Sequence, residues 1–469
     1  MRLSRRTLLG SAFVTLFASQ ARSQLTPAPA QEDGFTLLET RKGALQLLPP
    51  PAPLTPIWGF GGQVPGPLLR VKLGQEVKAR LVNRLDQATS LHWRGVRIVN
   101  AMDGAAGLTQ KPVEPGGSFD YRFTPPDAGT FFYQPLMQPF SGAQQGRGLY
   151  GALIVDEVQP VVVDQEFILF LDDWRLDAKG QNIDDFDNPA DALRQGRLGA
   201  TVSVNSHVKP PPIVAAPGAR LRLRLINAAN ARIMFLTFDG AKPQIIAIDG
   251  QPCDAFEPVR RTFPIGPGAR FDVILDLPPT EAQTTKIILR GETELPDEVI
   301  LAFVTKGAAS ATSAKPLVAP TVNPLLPAEI RLQASKKFDL TIEGGAVAHQ
   351  PASANPTGAA LRHIWKINGK SSTGVDGPPL FSVRRGAAVT LGFINKSLYP
   401  LDMHVHGHAM RLLHDLDDGW EPYWRDSVIV PELKTKHVAF VADNPGKWMI
   451  HCAIQEHLAN GLAGWFEVN

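Results

Sequence analysis

A run of alternating apolar and polar residues, bracketed by glycine and asparagine, occurs three times along the chain. The three copies cover residues 74–83, 218–227 and 386–395. In each copy the apolar side chains fall two positions apart, which is the period of a β-strand with one buried face. A repeat with this spacing predicts three consecutive β-domains of about 150 residues each.

Short strand-like segments, punctuated by 41 glycines and 41 prolines, fill most of the remaining chain. Long amphipathic helical patterns are missing from the sequence, so the predicted fold class is all-β, built as antiparallel Greek-key sandwiches or barrels. A segment rich in Ala, Ser, Thr and Pro predicts a linker before the third domain. The predicted domains are 34–158, 159–306 and 336–469, with the linker at 307–335.

The first residues have the pattern of an export signal. A twin-arginine motif, Ser4-Arg5-Arg6-Thr7, is followed by an apolar run at 8–18 and a small-residue stretch ending near Ser23. A run of about eleven residues is too short to span a bilayer. The pattern predicts a signal peptide at 1–23, export to the periplasm by the twin-arginine pathway, and no transmembrane segment in the mature chain.

The charge balance excludes one class of partner. The chain has 47 Lys and Arg against 45 Asp and Glu, a formal net charge of +2. Removing the four arginines of the signal peptide changes this charge to −2, so no nucleic-acid partner is expected. No nucleotide cofactor is predicted either. Cys253 and Cys452 are the two cysteines, and one disulfide could not hold a chain of this length, so stability must come from core burial.

The repeat also places the histidines. His92 lies nine residues after the asparagine of the first copy and His404 nine residues after that of the third, whereas Leu236 takes this place in the second. A further match, between 126–134 and 443–451, puts Gln134 opposite His451. The outer domains therefore present equivalent strands that could meet at a shared site, and the middle domain is expected to act as a spacer.

Two short motifs offer metal-ligand chemistry. His404 and His406 lie at i and i+2, on one face of a strand, as two ligands of one metal centre require, and the same parity places His408 on that side. Cys452 has the opposite parity to its neighbour, and His457 follows at a loop spacing that can close on the same metal. A soft thiolate beside an imidazole selects copper.

Together with Trp58-Gly59-Phe60, Asp103-Gly104 and the motif ending in Cys452, these features make the chain resemble a three-domain, laccase-like multicopper oxidase over essentially its whole mature length. The resemblance implies cupredoxin-like domains. It also implies a blue copper that takes electrons from a substrate, and a Cys flanked by two His that passes them to three coppers reducing dioxygen to water. The family pattern is His-x-His, His-x-His, His-Pro-x-His-x-His, and His-Cys-His with a later His and an axial Met or Leu.

This chain departs from each of those motifs. By the resemblance, the mononuclear copper of the cluster keeps both ligands, and one copper of the paired site keeps two of three. The other paired copper keeps none, and the blue site lacks its first His. The positions without the family's histidine hold Arg94, Gln134, Ala453, Leu136 and Leu401, and Leu462 takes the axial place.

The remaining candidate metal ligands form an incomplete set, with copper as the candidate cofactor. They are His92, His404, His406, His451, Cys452 and His457. Two interpretations stay open for them, a residual metal site or a set of hydrogen-bonded relics, with Cys452 as a small buried residue. No catalytic residue is predicted.

The predicted function is that of a periplasmic multicopper-oxidase-like protein that has lost full oxidase activity. It would have a binding or structural role in the cell envelope, with an envelope protein or a copper ion as partner. The alternative is a copper-binding oxidoreductase, laccase-like or a cuprous oxidase, that uses a reduced metal set.

Overall fold

The fold is known from a computed structural model, which describes residues 31–291, 296–346, 363–373, 375–414 and 419–469. The predicted signal peptide at 1–23 lies outside the described residues. In the ranges described, no helix is long and apolar enough to cross a membrane.

The first unit is a pair of four-stranded sheets, with strand orders β2-β1-β4-β6 and β3-β8-β7-β5. Its strands are β1 Thr36–Leu45, β2 Thr55–Phe60, β3 Leu69–Lys72, β4 Val77–Asn83, β5 His92–Arg94, β6 Ser118–Phe123, β7 Gly129–Gln134 and β8 Gly151–Asp156.

The second unit pairs a six-stranded sheet, β10-β9-β12-β17-β14-β15, with a five-stranded sheet, β11-β19-β18-β13-β16. Its strands are β9 Gln165–Trp174, β10 Thr201–Val204, β11 Ile213–Ala215, β12 Arg220–Asn227, β13 Met234–Asp239, β14 Pro243–Ile248, β15 Gln251–Phe256, β16 Thr262–Ile265, β17 Arg270–Asp276, β18 Thr284–Leu289 and β19 Glu298–Thr305.

The third unit has two five-stranded sheets, β21-β20-β23-β27-β25 and β22-β29-β28-β24-β26. Its strands are β20 Lys336–Glu343, β21 Lys366–Ile367, β22 Ser382–Val383, β23 Ala387–Asn395, β24 Leu401–Val405, β25 Arg411–Leu412, β26 Ser427–Val430, β27 Thr435–Ala442, β28 Gly446–Cys452 and β29 Ala463–Val468.

The described residues form three short α-helices, α1 Ser141–Gln145, α2 Pro189–Ala192 and α3 Gln455–Ala459, and three single 3-10 turns, Asn100–Met102, Val259–Arg261 and Leu332–Ala334. The predicted all-β class with three sandwich units is therefore confirmed. The boundaries predicted from the sequence between these units stay predictions.

The three copies of the repeat form β4, β12 and β23, and they occupy the same place in each unit. Each pairs in parallel with the first strand of its unit, β1, β9 or β20. Its terminal asparagine accepts a hydrogen bond from the backbone amide two residues on, and its side-chain amide donates to backbone carbonyls. The asparagine thus closes the same turn three times, which explains its recurrence.

The expectation of one buried face per repeat is wrong for β12, which is buried on both faces. Arg222 and Arg224 point from its second face toward the first unit. Asp272 of β17, the neighbouring strand of the same sheet, accepts hydrogen bonds from both guanidinium groups. Thr130 of β7 donates its hydroxyl to the same carboxylate at 2.6 Å. Charged residues can be buried here because each is paired within the second unit, and Thr130 adds hydrogen bonds to Asp272 and Arg224 across the boundary between units.

One continuous apolar core joins the first and third units. It contains Trp93 and Tyr133 of the first unit together with Met403 and Trp448 of the third, all 0% exposed. The second unit has a core of its own, and a smaller apolar cluster joins it to the first unit. The outer units are therefore packed directly against each other, and the candidate ligands lie at their boundary.

Candidate metal centre

Two pairs of neighbouring strands bring the predicted ligands together. In the first unit β5 and β7 pair with His92 opposite Gln134, and in the third unit β24 and β28 pair with His404 opposite His451. The match between the two sequence blocks thus corresponds to a match in strand register. Since side chains of directly paired residues share a face, each pair points into the space between the units.

Four imidazoles face one another in that space. The Nε2 atoms of His92 and His404 are 3.4 Å apart, and the ligand atoms of these two and His406 all lie within 4.8 Å of one another. The ring of His451 stands 5.1 Å from that of His406 and 5.4 Å from that of His404. All four are fully buried or nearly so. In a tetrahedral site with metal–nitrogen bonds of about 2.0 to 2.1 Å, neighbouring ligand atoms are roughly 3.4 Å apart, so the closest pair is already at ligand spacing.

Each imidazole is oriented through its Nδ1 atom. His92 and His404 donate to the backbone carbonyls of Asp103 and Asp426, at 2.9 and 2.8 Å. His406 donates to the Asp103 carboxylate at 2.9 Å. The Nδ1 of His451 lies 2.7 Å from the carbonyl of the next residue. Partners of this kind fix the tautomer of metal-binding histidines, and they leave each Nε2 lone pair facing inward.

Two of these inward nitrogens, Nε2 of His406 and of His451, are buried and have no hydrogen-bond partner among the described residues. Burial lowers the pKa of His404 and His451 well below its ordinary value, and it lowers the pKa of His406 to about 4 against the opposing attraction of Asp103. His404, His406 and His451 are therefore neutral at pH 7, which is the state that binds a metal ion.

Arg94 fills the place beside these histidines where the resemblance implies a copper ligand. Its side chain is 1% exposed, its Nη2 donates to the carbonyl of Pro267 at 3.3 Å, and its Nε lies 3.5 Å from the Asp426 carboxylate. Burial lowers the pKa of this guanidinium, and Asp426 opposes the effect. An arginine remains protonated in proteins, so a permanent cation occupies this position.

The contact with Pro267 corrects the expectation that the middle domain is a spacer. Arg270 of the same unit binds Asp426 of the third unit and the backbone of Asp249, and its side chain is 0% exposed. All three units thus meet behind His404, whose Nδ1 lies 3.0 Å from the Asp426 carboxylate. Sequence reasoning missed Arg270, Asp249 and Asp426, because their pairing is between units and leaves no local pattern.

The second motif forms a separate pocket. The Sγ atom of Cys452 is 3.7 Å from Nδ1 of His457, as the loop spacing predicts, and both side chains are 0% exposed. Leu401 and Leu462 are also 0% exposed and belong to the same apolar core as the cysteine. Burial raises the pKa of Cys452 to about 12 and lowers that of His457 to about 4. The pocket offers two ligands, one short of the two-His-one-Cys set of a blue copper.

The far side of His457 is closed by the middle unit. Its Nε2 lies 2.7 Å from the carbonyl of Arg194, and the ring of Trp365 covers it at 4.1 Å between ring centres. The Trp365 indole donates to the carbonyl of Ala192 at 2.7 Å. The segment around α2 therefore seals the edge of the imidazole that faces away from the cysteine.

The parity argument for His408 is wrong. β24 ends at Val405, and Gly407 adopts a positive φ of 66°, so the chain turns before His408. The His408 ring instead packs among Phe440, Trp448 and Phe466, away from the four histidines. Both cysteines, Cys253 included, are buried and free.

Three domain models described as multicopper oxidase match residues 46–160, 165–286 and 347–469. A solved structure of Lac15 from a marine microbial metagenome is 30% identical in sequence, with 92% of this chain and 100% of that chain covered and a TM-score of 0.73. The chain belongs to the multicopper oxidase family.

Other members of the family match over nearly the whole chain. Multicopper oxidase MmcO of Mycobacterium tuberculosis is 28% identical over 98% of this chain and 96% of its own length. The crystal structure of a multi-copper oxidase from Pseudomonas thermotolerans gives a TM-score of 0.80 at 29% identity, covering 94% of this chain and 100% of that chain. The predicted resemblance to a three-domain, laccase-like multicopper oxidase is confirmed.

Membership of the multicopper oxidase family implies copper binding, and the residues present fit that metal in part. The imidazoles with inward Nε2 atoms are suitable ligands, and those of His92, His404 and His406 form a candidate metal group. The position of Arg94 does not fit a copper ion, because a buried guanidinium stands there in place of a ligand. The Cys452 pocket lacks one imidazole.

Proposed function

We propose that this member of the multicopper oxidase family is a periplasmic copper-binding protein that does not reduce dioxygen to water. In this proposal one copper ion is held between the first and third units by His92, His404, His406 and His451. The protein's role in the cell envelope is then to bind copper or a partner.

The observation that carries the proposal is the state of the imidazole nitrogens. Every Nδ1 atom of the four histidines has a partner, and the Nε2 atoms of His406 and His451 are buried with none in the part of the chain that the structure describes. A buried polar atom without a partner costs about 1 to 3 kcal/mol. A bound metal ion would coordinate these nitrogens and remove this cost. Histidines without a ligand role would be more stable if these nitrogens had hydrogen-bond partners.

Loss of the full oxidase reaction is proposed from the ligand count. Reduction of dioxygen to water requires four electrons, and a single copper ion supplies one-electron chemistry or a structural link. Arg94, Gln134 and Ala453 offer no imidazole for a second ion, and the Cys452 pocket offers two ligands where a blue copper needs three.

The test is metal content together with metal-linked stability. The mature protein, exported by its own signal and purified without added metal, should contain about one copper per chain. Because the site exists only in the folded state, a hundredfold excess over the dissociation constant should stabilise the apo protein by roughly 2.7 kcal/mol. Thermal melting with and without Cu(II) or Zn(II) measures this shift.

Two variants make the test specific. His92→Ala/His404→Ala removes one ligand from each side of the boundary and should abolish the shift. His207→Ala/His363→Ala removes two exposed histidines and should leave it intact. A shift that survives the first variant would mean that copper binds elsewhere.

A second candidate is a metal-free structural protein of the cell envelope, in which the four histidines are relics. The position of Arg94 favours it, because a guanidinium already fills part of the space where copper would be. This candidate predicts no metal in the exported protein and no shift that depends on His92 or His404. An envelope partner would then be sought by cross-linking in intact cells.

A further inference from the structure

The side chains of Cys452 and His457 present two donor atoms to one point of their pocket. Nε2 of His457 lies 2.7 Å from the backbone carbonyl of Arg194, which can only accept a hydrogen bond. Burial lowers the pKa of this imidazole to about 4, so the ring is neutral and its proton is on Nε2. The lone pair of Nδ1 therefore faces Sγ of Cys452, at 3.7 Å.

The distance between these two donor atoms suits a metal ion between them. Metal–sulfur and metal–nitrogen bonds of about 2.3 and 2.0 to 2.1 Å span the observed 3.7 Å when they meet at roughly 115°. The same bonds span about 4.3 Å when they lie in line. A bent two-ligand site thus needs no movement of the chain, and a linear one needs only a small separation of the two side chains.

The sulfur atom receives hydrogen bonds that favour its charged form. Burial raises the pKa of the Cys452 thiol to about 12, and hydrogen bonds from the backbone at Asp402 and Ile454 act in the opposite direction. The charges of Asp402 and Arg94 affect this pKa in opposite directions as well. An ion that replaces the thiol proton would therefore meet a sulfur atom whose negative charge the backbone already stabilises in part.

The charge balance of the pocket favours a monovalent ion. Cys452, His457, Leu401 and Leu462 are all 0% exposed, and the thiolate is the single charge that these four side chains can supply. A monovalent ion beside one thiolate gives a neutral site, whereas a divalent ion leaves a net positive charge away from water. Soft thiolates select Cu(I), whereas two donors are too few for the four ligands of Zn(II) or the three of a blue copper.

We propose that the pocket of Cys452 and His457 binds one Cu(I) ion and discriminates against divalent metals. The ion bonds to Sγ and Nδ1 and the thiol proton is released, so copper remains Cu(I) throughout. This ion is additional to the one assigned to the four histidines, and the proposal does not depend on that site. Leu401 thus changes an electron-transfer site of the family into one that holds copper in a single oxidation state.

The test is a titration of the mature apo protein with Cu(I), without oxygen and in competition with a coloured Cu(I) chelator. His92→Ala/His404→Ala is the background, because it removes the four-histidine site and leaves the pocket unchanged. One Cu(I) per chain is expected. Cys452→Ser and His457→Phe should each weaken its binding by more than about 100-fold, since even the partners of metal ligands contribute 10- to 100-fold.

Cys253→Ser is the matched control, because it removes the other buried free cysteine and should leave the affinity for Cu(I) unchanged. Equal weakening by Cys253→Ser, or no weakening by Cys452→Ser, would overturn the proposal. If the background variant does not fold, the difference in bound Cu(I) between the natural chain and Cys452→Ser gives the same count.

Ag(I) and Zn(II) separate the charge argument from a general affinity for thiols. Ag(I) is also soft and monovalent, so it should displace Cu(I) from the pocket. Zn(II) binds thiolate and imidazole elsewhere in proteins, but here it should not compete with Cu(I). Zn(II) bound through Cys452 as tightly as Cu(I) would show that charge does not select the ion, and the proposal would be wrong.

X-ray absorption at the copper edge tests the site in the same background without a change to the pocket. One sulfur and one nitrogen ligand are expected, with no intense visible band after exposure to air. Copper without a sulfur ligand, or with a strong blue band, would contradict the proposal, and this measurement decides if Cys452→Ser and His457→Phe do not fold. Cu(I) held at Cys452 in a chain whose four histidines bind no metal would contradict the proposed function alone.

Discussion

Replacing Leu401 by histidine should rebuild the blue copper site. Cys452 and His457 already face each other at 3.7 Å, and Leu401 lies in the same apolar core at the place where the family has its first blue-copper histidine. Leu401→His would complete a two-His-one-Cys set, with Leu462 in the axial place. The variant loaded with Cu(II) should show the intense visible band of a copper–thiolate bond, and the natural chain should not.

The loss of folding free energy caused by Leu401→His can be compared with the stabilisation that copper binding adds. Leu401 is 0% exposed, so losing its burial costs about 1.5 to 3 kcal/mol, and an imidazole nitrogen without a partner adds about 1 to 3 kcal/mol. A hundredfold excess of copper over its dissociation constant returns roughly 2.7 kcal/mol. The apo variant should therefore melt well below the natural protein, and copper should restore about half or more of the loss.

Absorption spectra and melting curves with and without Cu(II) check both expectations. Leu401→Ala is the matched control, because it loses similar packing and supplies no ligand, so copper should neither colour nor stabilise its pocket. Cys452→Ser in the Leu401→His background should abolish the band. A strong band in the natural chain, or a folded Leu401→His variant that stays colourless, would refute the reasoning.

Two further predictions follow from the buried charges. Because Arg94 replaces a copper ligand, dioxygen uptake with phenols, aromatic amines or Cu(I) should be no faster than with the same concentration of free copper. Turnover that resists chelation and disappears in His404→Ala/His406→Ala would contradict this. Asp272→Asn should lower the free energy of unfolding in urea by about 3 to 5 kcal/mol, since two buried arginines lose their shared carboxylate. Burial disfavours ionisation of Asp272, but those arginines outweigh it and lower its pKa. The stabilising effect of Asp272 is therefore present above about pH 4 and lost as the pH falls through the lowered pKa. The free energy of unfolding of Asp272→Asn should fall less steeply with acid than that of the natural protein. An equally steep fall in both proteins would contradict this prediction.

The sequence was sufficient for those parts of the fold that depend on local pattern. The alternation in the three repeats predicted β4, β12 and β23, and counting from their asparagines placed His92 and His404 on equivalent strands. These predictions succeed because strand period and turn chemistry act over a few residues. His408 shows the limit of parity, since one glycine with a positive φ ended the strand before it.

What the sequence did not predict depends on contacts between units. Arg270, Asp402 and Asp426 lie far apart along the chain, and each looks like an ordinary polar residue in its own segment. Their burial becomes understandable once the units are seen together. Arg270 donates to Asp426 and to the carbonyl of Gly268, and Asp402 packs against Gly266. The middle unit is therefore part of the centre, although its own repeat carries no histidine.

Because Arg194 and Trp365 cover His457, they would limit the rate of electron transfer to a copper ion bound beside it. In the described structure the outer edge of this imidazole touches a backbone carbonyl and an indole ring, so a reducing molecule cannot reach it directly. Electrons for a rebuilt blue centre would have to tunnel through the α2 segment, and the rate would depend on the thickness of this layer. Protein atoms cover the imidazole edge through which a blue copper would receive electrons. A copper ion in the rebuilt site would therefore be coloured, but bulky donors would reduce it slowly.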